Sequence, residues 1–299
     1  MYIGRFAPSP TGPLHFGSLV AAVASYCDAR SQQGKWLVRM EDLDKPREIP
    51  GAASTILQQL EAFGFTWDDQ VVYQSQREDL YEAALQSLKQ NKLIYPCSCS
   101  RKEILDSATA SGIEGVIYPK TCLLHPPKPD KNLAFRIITT EKILRFTDEI
   151  QGHISQNIAC DIGDFILKRA DGLFAYQLAV VVDDDAQHIT HVVRGADLLT
   201  STSRQIYLQQ QLNLPTPHYA HVPLVCNTSG EKLSKQTLAK PIDAKSAVPL
   251  LITALGFLGQ QPPADLAHHT LTNIWDWAIK HWQISSVPKN NNTKVECSF

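Results

Sequence analysis

The first 95 residues alternate short apolar runs rich in aromatic and β-branched side chains with longer stretches of helical periodicity. Tyr2 and Ile3 are strand formers, Gly12 and Pro13 interrupt them, and the apolar run from Leu19 to Val23 opens a helix. Trp36–Met40 reads as a second strand, followed by helices over about Gly51–Phe63 and Leu80–Gln90. This alternation predicts a parallel sheet with helices on its faces and ligands at the carboxyl ends of the strands. Between residues 96 and 160 the rhythm breaks at Pro119, Pro126, Pro127 and Pro129, with cysteines at 97, 99 and 122, which predicts an insertion. Residues 161–225 resume the alternation. Residues 240–282 read as helical, with Leu250, Leu251, Ala254 and Leu255 on one face and a Trp-rich stretch at Trp275, Trp277 and Trp282. Ser285–Phe299 is polar, holds three successive asparagines and reads as a mobile tail. The pattern divides the chain into 1–95, 96–160, 161–239 and 240–299, with no internal repeat.

Composition narrows the class. At 43% hydrophobic and 19% charged residues, a chain of 299 can bury a large core as an ordinary globular enzyme. The net charge of −2 supplies no global attraction for nucleic acid, so any RNA contact must use a local basic surface. No apolar run reaches membrane-spanning length; Ala247–Leu258 is sized for a core helix. The N-terminus lacks a basic region followed by an apolar core. Seven scattered cysteines, an odd number, argue against a disulfide framework and for a reducing, cytoplasmic setting.

Two motifs carry the chemistry. Residues 5–19 read Arg-Phe-Ala-Pro-Ser-Pro-Thr-Gly-Pro-Leu-His-Phe-Gly-Ser-Leu: a strand, a sharp turn and a helix start. Free amides and the helix dipole converge there on an anion. Gly17 permits close approach of a phosphate or adenine, Ser18 opens the helix, and His15 can donate to a phosphoryl oxygen whose charge grows in the reaction. Residues 231–236 read Glu-Lys-Leu-Ser-Lys-Gln, where Lys232 and Lys235 flank a serine and suit a triphosphate that sheds pyrophosphate. Alone, the first motif also fits a Pro-rich loop with a surface histidine, and the second a pair of solvated lysines.

Together and in this order, the motifs resemble the two signatures of class I aminoacyl-tRNA synthetases. Arg-Met-Glu-Asp-Leu-Asp at 39–44, Val-Tyr-Gln-Ser-Gln-Arg at 72–77, several runs within 163–197 and His-Tyr-Ala-His-Val-Pro-Leu at 218–224 resemble the glutamyl branch. The resemblance implies an α/β fold: a Rossmann-type parallel sheet, an inserted zinc-binding subdomain that meets RNA, and a short C-terminal helical region. Only 64 positions follow Lys235, whereas a separate anticodon-binding domain needs about 100–150 residues. The chain therefore resembles the short paralogues of the branch, the glutamyl-queuosine tRNA(Asp) synthetases. These are ligases that activate L-glutamate with ATP and esterify it to the wobble queuosine of tRNA(Asp). The implied partners are glutamate, ATP and the tRNA(Asp) anticodon stem-loop, with no membrane and a monomeric chain. Two other readings stand beside it. One is a truncated glutamyl-tRNA synthetase charging tRNA(Glu), disfavoured by the missing anticodon domain. The other is an idle RNA-binding paralogue, disfavoured by intact Arg5, His15, Glu41, Tyr176, Arg194 and Lys235.

The resemblance also implies roles. Glutamate needs cations for its carboxylates and an anion for its ammonium. Arg5 and Arg194 can each pair with a carboxylate, Glu41 can take the ammonium, and Tyr176 and Ser9 can add hydrogen bonds. Which arginine takes which carboxylate stays open. His15, Gly17, Ser18 and Lys235 fall to ATP; His15, Lys232 and Lys235 are the catalytic candidates, with Mg2+ accompanying ATP. Gln236 stands where the family most often has arginine or serine. Asp183 and Asp184 read as sheet-end residues. Cys97, Cys99, Tyr118 and Cys122 match the short paralogues' pattern for one structural Zn2+, with His125 as a substitute ligand. On spacing alone, these thiols equally suit small buried core positions.

Overall fold

Strand β1 (Ile3–Phe6) ends where prolines 8, 10 and 13 remove backbone donors, and α1 (Phe16–Ser31) begins under a cap from His15, whose Nδ1 accepts from the Ser18 amide at 3.3 Å. The computed structural model describes residues 1–226, 240–289 and 292–294. Helix α1 is buried nearly all round, from Leu19 to Ala29, because it lies between the sheet and the C-terminal helices.

Strand β2 (Lys35–Met40) pairs in parallel with β1, and β3 (Val72–Tyr73) with β2; α2 (Ala52–Ala62) and α3 (Glu78–Gln90) lie where their periodicity predicts them. After β4 (Ile94–Cys97) come α4 (Arg101–Ser107), the hairpin β5–β6 (Ser111–Gly112, Gly115–Val116), α5 (Thr121–Leu124) and β7 (Ala134–Ile137). The hairpin β8–β9 (Ile143–Asp148, Gly152–Asn157) and β10 (Ile166–Lys168) follow. The second half holds α6 (Tyr176–Ala186), β11 (His191–Gly195), α7 (Leu199–Leu212), β12 (His218–Val222) and β13 (Leu224–Cys226). Helices α8 (Ala247–Phe257) and α9 (Leu271–His281) precede β14 (Asn292–Lys294), which pairs in parallel with β13.

Strands β11 and β12 are parallel, and β11 is joined to β1 where the Thr190 amide donates to the Ile3 carbonyl at 2.9 Å. Carboxyl ends of strands from both halves therefore converge, as an open α/β sheet requires of its ligand crevice. One hydrophobic core packs α1, α8 and α9 on one face of the sheet; a second packs α3, α6 and α7 on the other. The stretch 96–160 contributes strands to two different sheets. Strands β4, β7 and β10 form an antiparallel sheet, while β8 joins the parallel sheet through Tyr219↔Asp148. Gly163 sits at φ +75°, where a Cβ would meet Ile117 Cγ2 at 2.6 Å. Next to it, buried Asp164 accepts from Tyr95 Oη and from the Thr139 amide and hydroxyl, each at 2.7 Å.

In α8 the predicted face of Leu250, Leu251, Ala254 and Leu255 is buried. Trp275 Nε1 donates to the Phe63 carbonyl at 3.0 Å and its ring joins Tyr26, Trp36 and Phe65. The stretch from Ser285 expected to be mobile is packed in part: Val287 is buried in the first core and Asn292–Lys294 form β14, while residues 290, 291 and 295–299 lie outside the described residues.

Buried Asp28 on α1 accepts from Trp282 Nε1 at 2.9 Å and from Tyr2 Oη, joining sheet, helix and C-terminal region through one side chain. Asp28→Ala leaves both donors buried without a partner. We expect a loss on the order of 3 kcal/mol, read as a lower midpoint in urea at unchanged slope. A midpoint equal to wild type would show that the C-terminal region holds without this carboxylate.

Candidate active site

A cleft of about 770 Å3 opens at the carboxyl ends of β1, β11 and β12. Arg5, Ser9, His15, Gly17, Ser18, Glu41, Tyr176 and Arg194 all line it. Eight residues singled out along 190 positions of sequence thus share one surface. Lys232 and Lys235 lie outside the described residues. The chain on either side of them borders the cleft: Leu224 and Val225 line it, and Pro241 bridges to His15.

The two arginines differ in their company. Arg5 is buried and its Nε pairs with Asp184 Oδ1 at 3.2 Å. Asp184 also takes Arg39 Nη1 at 2.8 Å. Burial would raise the Asp184 pKa, but Arg5 and Arg39 overcome it and hold the carboxyl below the usual range. Arg39 Nη2 reaches Glu41 Oε1 at 3.3 Å. Burial drives Glu41 upward despite the pull of Arg39 and Arg5, so an ammonium in the cleft would further stabilise its ionised form. Asp183 is fully buried and accepts from Arg77 Nε at 2.5 Å, Tyr81 Oη at 2.7 Å and Gln74 Nε2 at 2.8 Å. Asp42 accepts from the Ser75 amide at 2.8 Å. The motifs at 39–44 and 72–77 therefore meet through hydrogen bonds. Asp183 and Asp184, read from sequence as sheet-end residues, belong to α6 and are the buried counter-ions of this network.

Arg194 is also buried, yet its contacts are neutral. Nη2 donates to Gln205 Oε1 at 2.8 Å and Thr202 Oγ1 at 2.9 Å, Nη1 reaches Tyr176 Oη at 3.4 Å, and Nε donates to His221 Nε2 at 3.0 Å. No described carboxylate pairs with it. His221 Nδ1 lies 2.6 Å from Asp148 Oδ2, and both side chains are fully buried. Burial pushes the His221 pKa down to about 4, reinforced by Arg194 and opposed by Asp148. The imidazole is neutral at physiological pH, with Nδ1–H donating to Asp148 and Nε2 accepting from Arg194. His221 and Asp148 escape the sequence reading; the only trace is the position of His221 in the 218–224 motif.

Away from the cleft, Cys97, Cys99 and Cys122 bring their sulfurs within 4.8 Å of one another. Tyr118 Oη lies 3.4 Å from Cys97 Sγ and 3.5 Å from Cys99 Sγ, and Cys99 and Cys122 are 3.5 Å apart. A tetrahedral zinc with thiolates at about 2.3 Å spaces its ligand atoms by about 3.8 Å, so the donors and their spacing fit that ion. Arg136 Nε donates to Cys97 Sγ at 3.3 Å and would offset thiolate charge. His125 is not part of the cluster.

The family model of class I tRNA synthetases (E and Q), catalytic domain, matches residues 3–249. Proteins named glutamyl-Q tRNA(Asp) synthetase match almost end to end. That of Dechloromonas aromatica is 55% identical over 97% of both chains, and that of Thiobacillus denitrificans is 54% identical over 96% of this chain and 95% of its own. The chain belongs to the glutamyl-Q tRNA(Asp) synthetase family. A glutamate tRNA ligase from Elizabethkingia meningosepticum, solved in complex with its amino acid, shares the fold with a TM-score of 0.77 at 24% identity, over 98% of this chain and 66% of that one. A glutamate-tRNA synthetase from Elizabethkingia anophelis gives 0.78 at 24% identity, over 99% and 68%. The chain thus spans about two thirds of those structures and nearly all of its glutamyl-Q tRNA(Asp) synthetase relatives. Among the described residues, no helix is long and apolar enough to cross a membrane.

His221 carries a pH signature. Its folded pKa lies below the unfolded value of about 6.5, so the folded state binds fewer protons between pH 6.5 and 4. Its contribution is complete above pH 6.5 and is lost as pH falls toward 4, in total about 3 kcal/mol. His221→Gln should flatten the loss of unfolding free energy across that window relative to wild type. Parallel pH–stability curves would contradict the assignment.

Proposed function

We propose that the chain activates L-glutamate with ATP and esterifies it to the queuosine base of tRNA(Asp). The observation that carries the glutamate reading is the charge pattern of the cleft: Arg194 buried among neutral partners, across from Glu41 with its raised pKa. Family membership over 97% of the chain supports the acceptor. Arg194, with the Tyr176 hydroxyl, receives one carboxylate, Arg5 with Ser9 orients the other, and Glu41 takes the ammonium. A neutral amide in place of the side-chain acid would leave a buried guanidinium uncompensated, which disfavours glutamine.

ATP lies with its phosphates over the start of α1, where His15, Gly17 and Ser18 face the cleft. The glutamate α-carboxylate attacks the α-phosphorus in line, and pyrophosphate leaves carrying the bonding electrons. Lys232 and Lys235 stabilise that leaving charge; the bracketing of their segment by Val225 and Pro241 supports the role. Mg2+ arrives with the phosphates and screens their charge. A hydroxyl of queuosine then attacks the glutamyl carbonyl, AMP departs, and no protein nucleophile is needed; positioning and electrostatics supply the rate. Residues 1–95 and 161–239 supply the catalytic body, into whose sheet β8 and β9 are built; the rest of 96–160 holds one structural Zn2+ and meets the RNA, and helices α8 and α9 buttress α1. The protein acts as a cytoplasmic monomer.

Two measurements test this reading. An isolated tRNA(Asp) anticodon stem-loop carrying queuosine should accept labelled glutamate, and the same loop with guanine should not; charging of tRNA(Glu) at its terminal ribose instead would overturn the acceptor assignment. Metal analysis of protein purified without chelator should find about one zinc per chain, with Cys99→Ser losing most of it. Metal-free protein with Cys97, Cys99 and Cys122 all titratable would remove the ion.

A further inference from the structure

Arg194 must meet two conditions that conflict. Its guanidinium has to be held in one orientation, and its charge has to remain available. A carboxylate partner would satisfy the first and defeat the second, as Asp184 does for Arg5. A hydroxyl or amide partner would keep the charge but can rotate or flip.

We propose that Asp148 and His221 form a positioning pair that seats Arg194 for its carboxylate ligand while leaving the arginine's charge uncompensated. This rests on the reading of Arg194 as a carboxylate seat. Orientation passes along a chain of bonds. Asp148 Oδ1 accepts from the amides of Ile150, Gln151 and His221 at 3.1, 2.8 and 3.1 Å, which leaves Oδ2 facing His221 Nδ1 at 2.6 Å. An ionised Oδ2 is only an acceptor, so Nδ1 must carry the proton, and a neutral imidazole then presents the Nε2 lone pair. That lone pair takes Arg194 Nε–H at 3.0 Å. The rigid ring admits one orientation, since His221 is fully enclosed and its Nε2 also lies 3.1 Å from Thr202 Oγ1. The pair therefore delivers a neutral acceptor with a fixed tautomer at full burial. Asp148's own charge stays on the far side of the ring.

The test turns on the tautomer. In Asp148→Asn, three backbone amides keep the side-chain oxygen at the Oδ1 position and place the NH2 group against His221 Nδ1. That forces the proton to Nε2, where it opposes Arg194 Nε–H. In ATP–pyrophosphate exchange, the KM for glutamate should rise tenfold or more, while the KM for ATP stays within twofold of wild type. His221→Ala should show the same glutamate-specific loss. His221→Gln, which restores a neutral acceptor but one that can flip, should recover only part of it, and adding Asp148→Asn to His221→Gln should cost little more. 15N shifts of the His221 ring should report Nδ1–H in wild type and Nε2–H in Asp148→Asn. A swapped tautomer with an unchanged glutamate KM, or equal losses for glutamate and ATP in all variants, would overturn the positioning role. Wild-type protein without glutamate-dependent exchange would overturn the substrate reading instead, and the ring shifts would still decide whether Asp148 orients His221.

Discussion

A buried lattice of opposite charges at the junction of β1, β2 and α6 is the constraint on which the rest depends. Arg5, Arg39 and Arg77 face Glu41, Asp183 and Asp184, one cation for each anion. Burying any one of them alone would cost several kcal/mol, so they are tolerated only as a set. The lattice need not add much net stability. It does add geometry, because its six members come from four separate segments and the pairs close only when those segments are in register. Strand ends from the first half and a helix from the second are thereby held at the cleft before any ligand arrives.

The same lattice makes the cleft electrically lopsided. On the Arg5 side the charge is already answered by Asp184. On the Arg194 side hydroxyl, carbonyl, amide and imidazole groups answer only its hydrogen-bonding capacity. A zwitterion with a second carboxylate therefore meets a field with direction, positive at one wall and acidic at Glu41. Such preorganisation lets binding and chemistry proceed without rearranging the protein's dipoles.

What was legible in the sequence was local. The strand–turn–helix around Gly12, the apolar face of α8 and the Trp anchors near 275–282 follow from spacing and side-chain type. The cleft-lining residues were legible because they sit in compact motifs. Contacts across the chain were not. Asp183 and Asp184 look like strand-end acids because nothing near them in sequence explains burying two adjacent carboxylates. Their partners Arg5 and Arg39 lie more than 140 positions away. His221 was opaque for the same reason: a histidine inside an apolar strand reads as packing until Asp148 is seen beside it. The polarity of the C-terminal stretch hid Val287, an apolar residue buried in the core.

Asp148 has one more implication. It ends β8, closes the turn into β9 by accepting the Ile150 and Gln151 amides on its side-chain Oδ1, and reaches His221 beneath the cleft. One carboxylate thus serves both the β8–β9 turn and, through His221, a cleft-lining arginine. The insertion cannot be treated as a cassette running to residue 160. A replacement that ran past Ile143 would remove the carboxylate that faces His221. The change from one sheet to the other falls inside the stretch where the sequence changes character, not at its end.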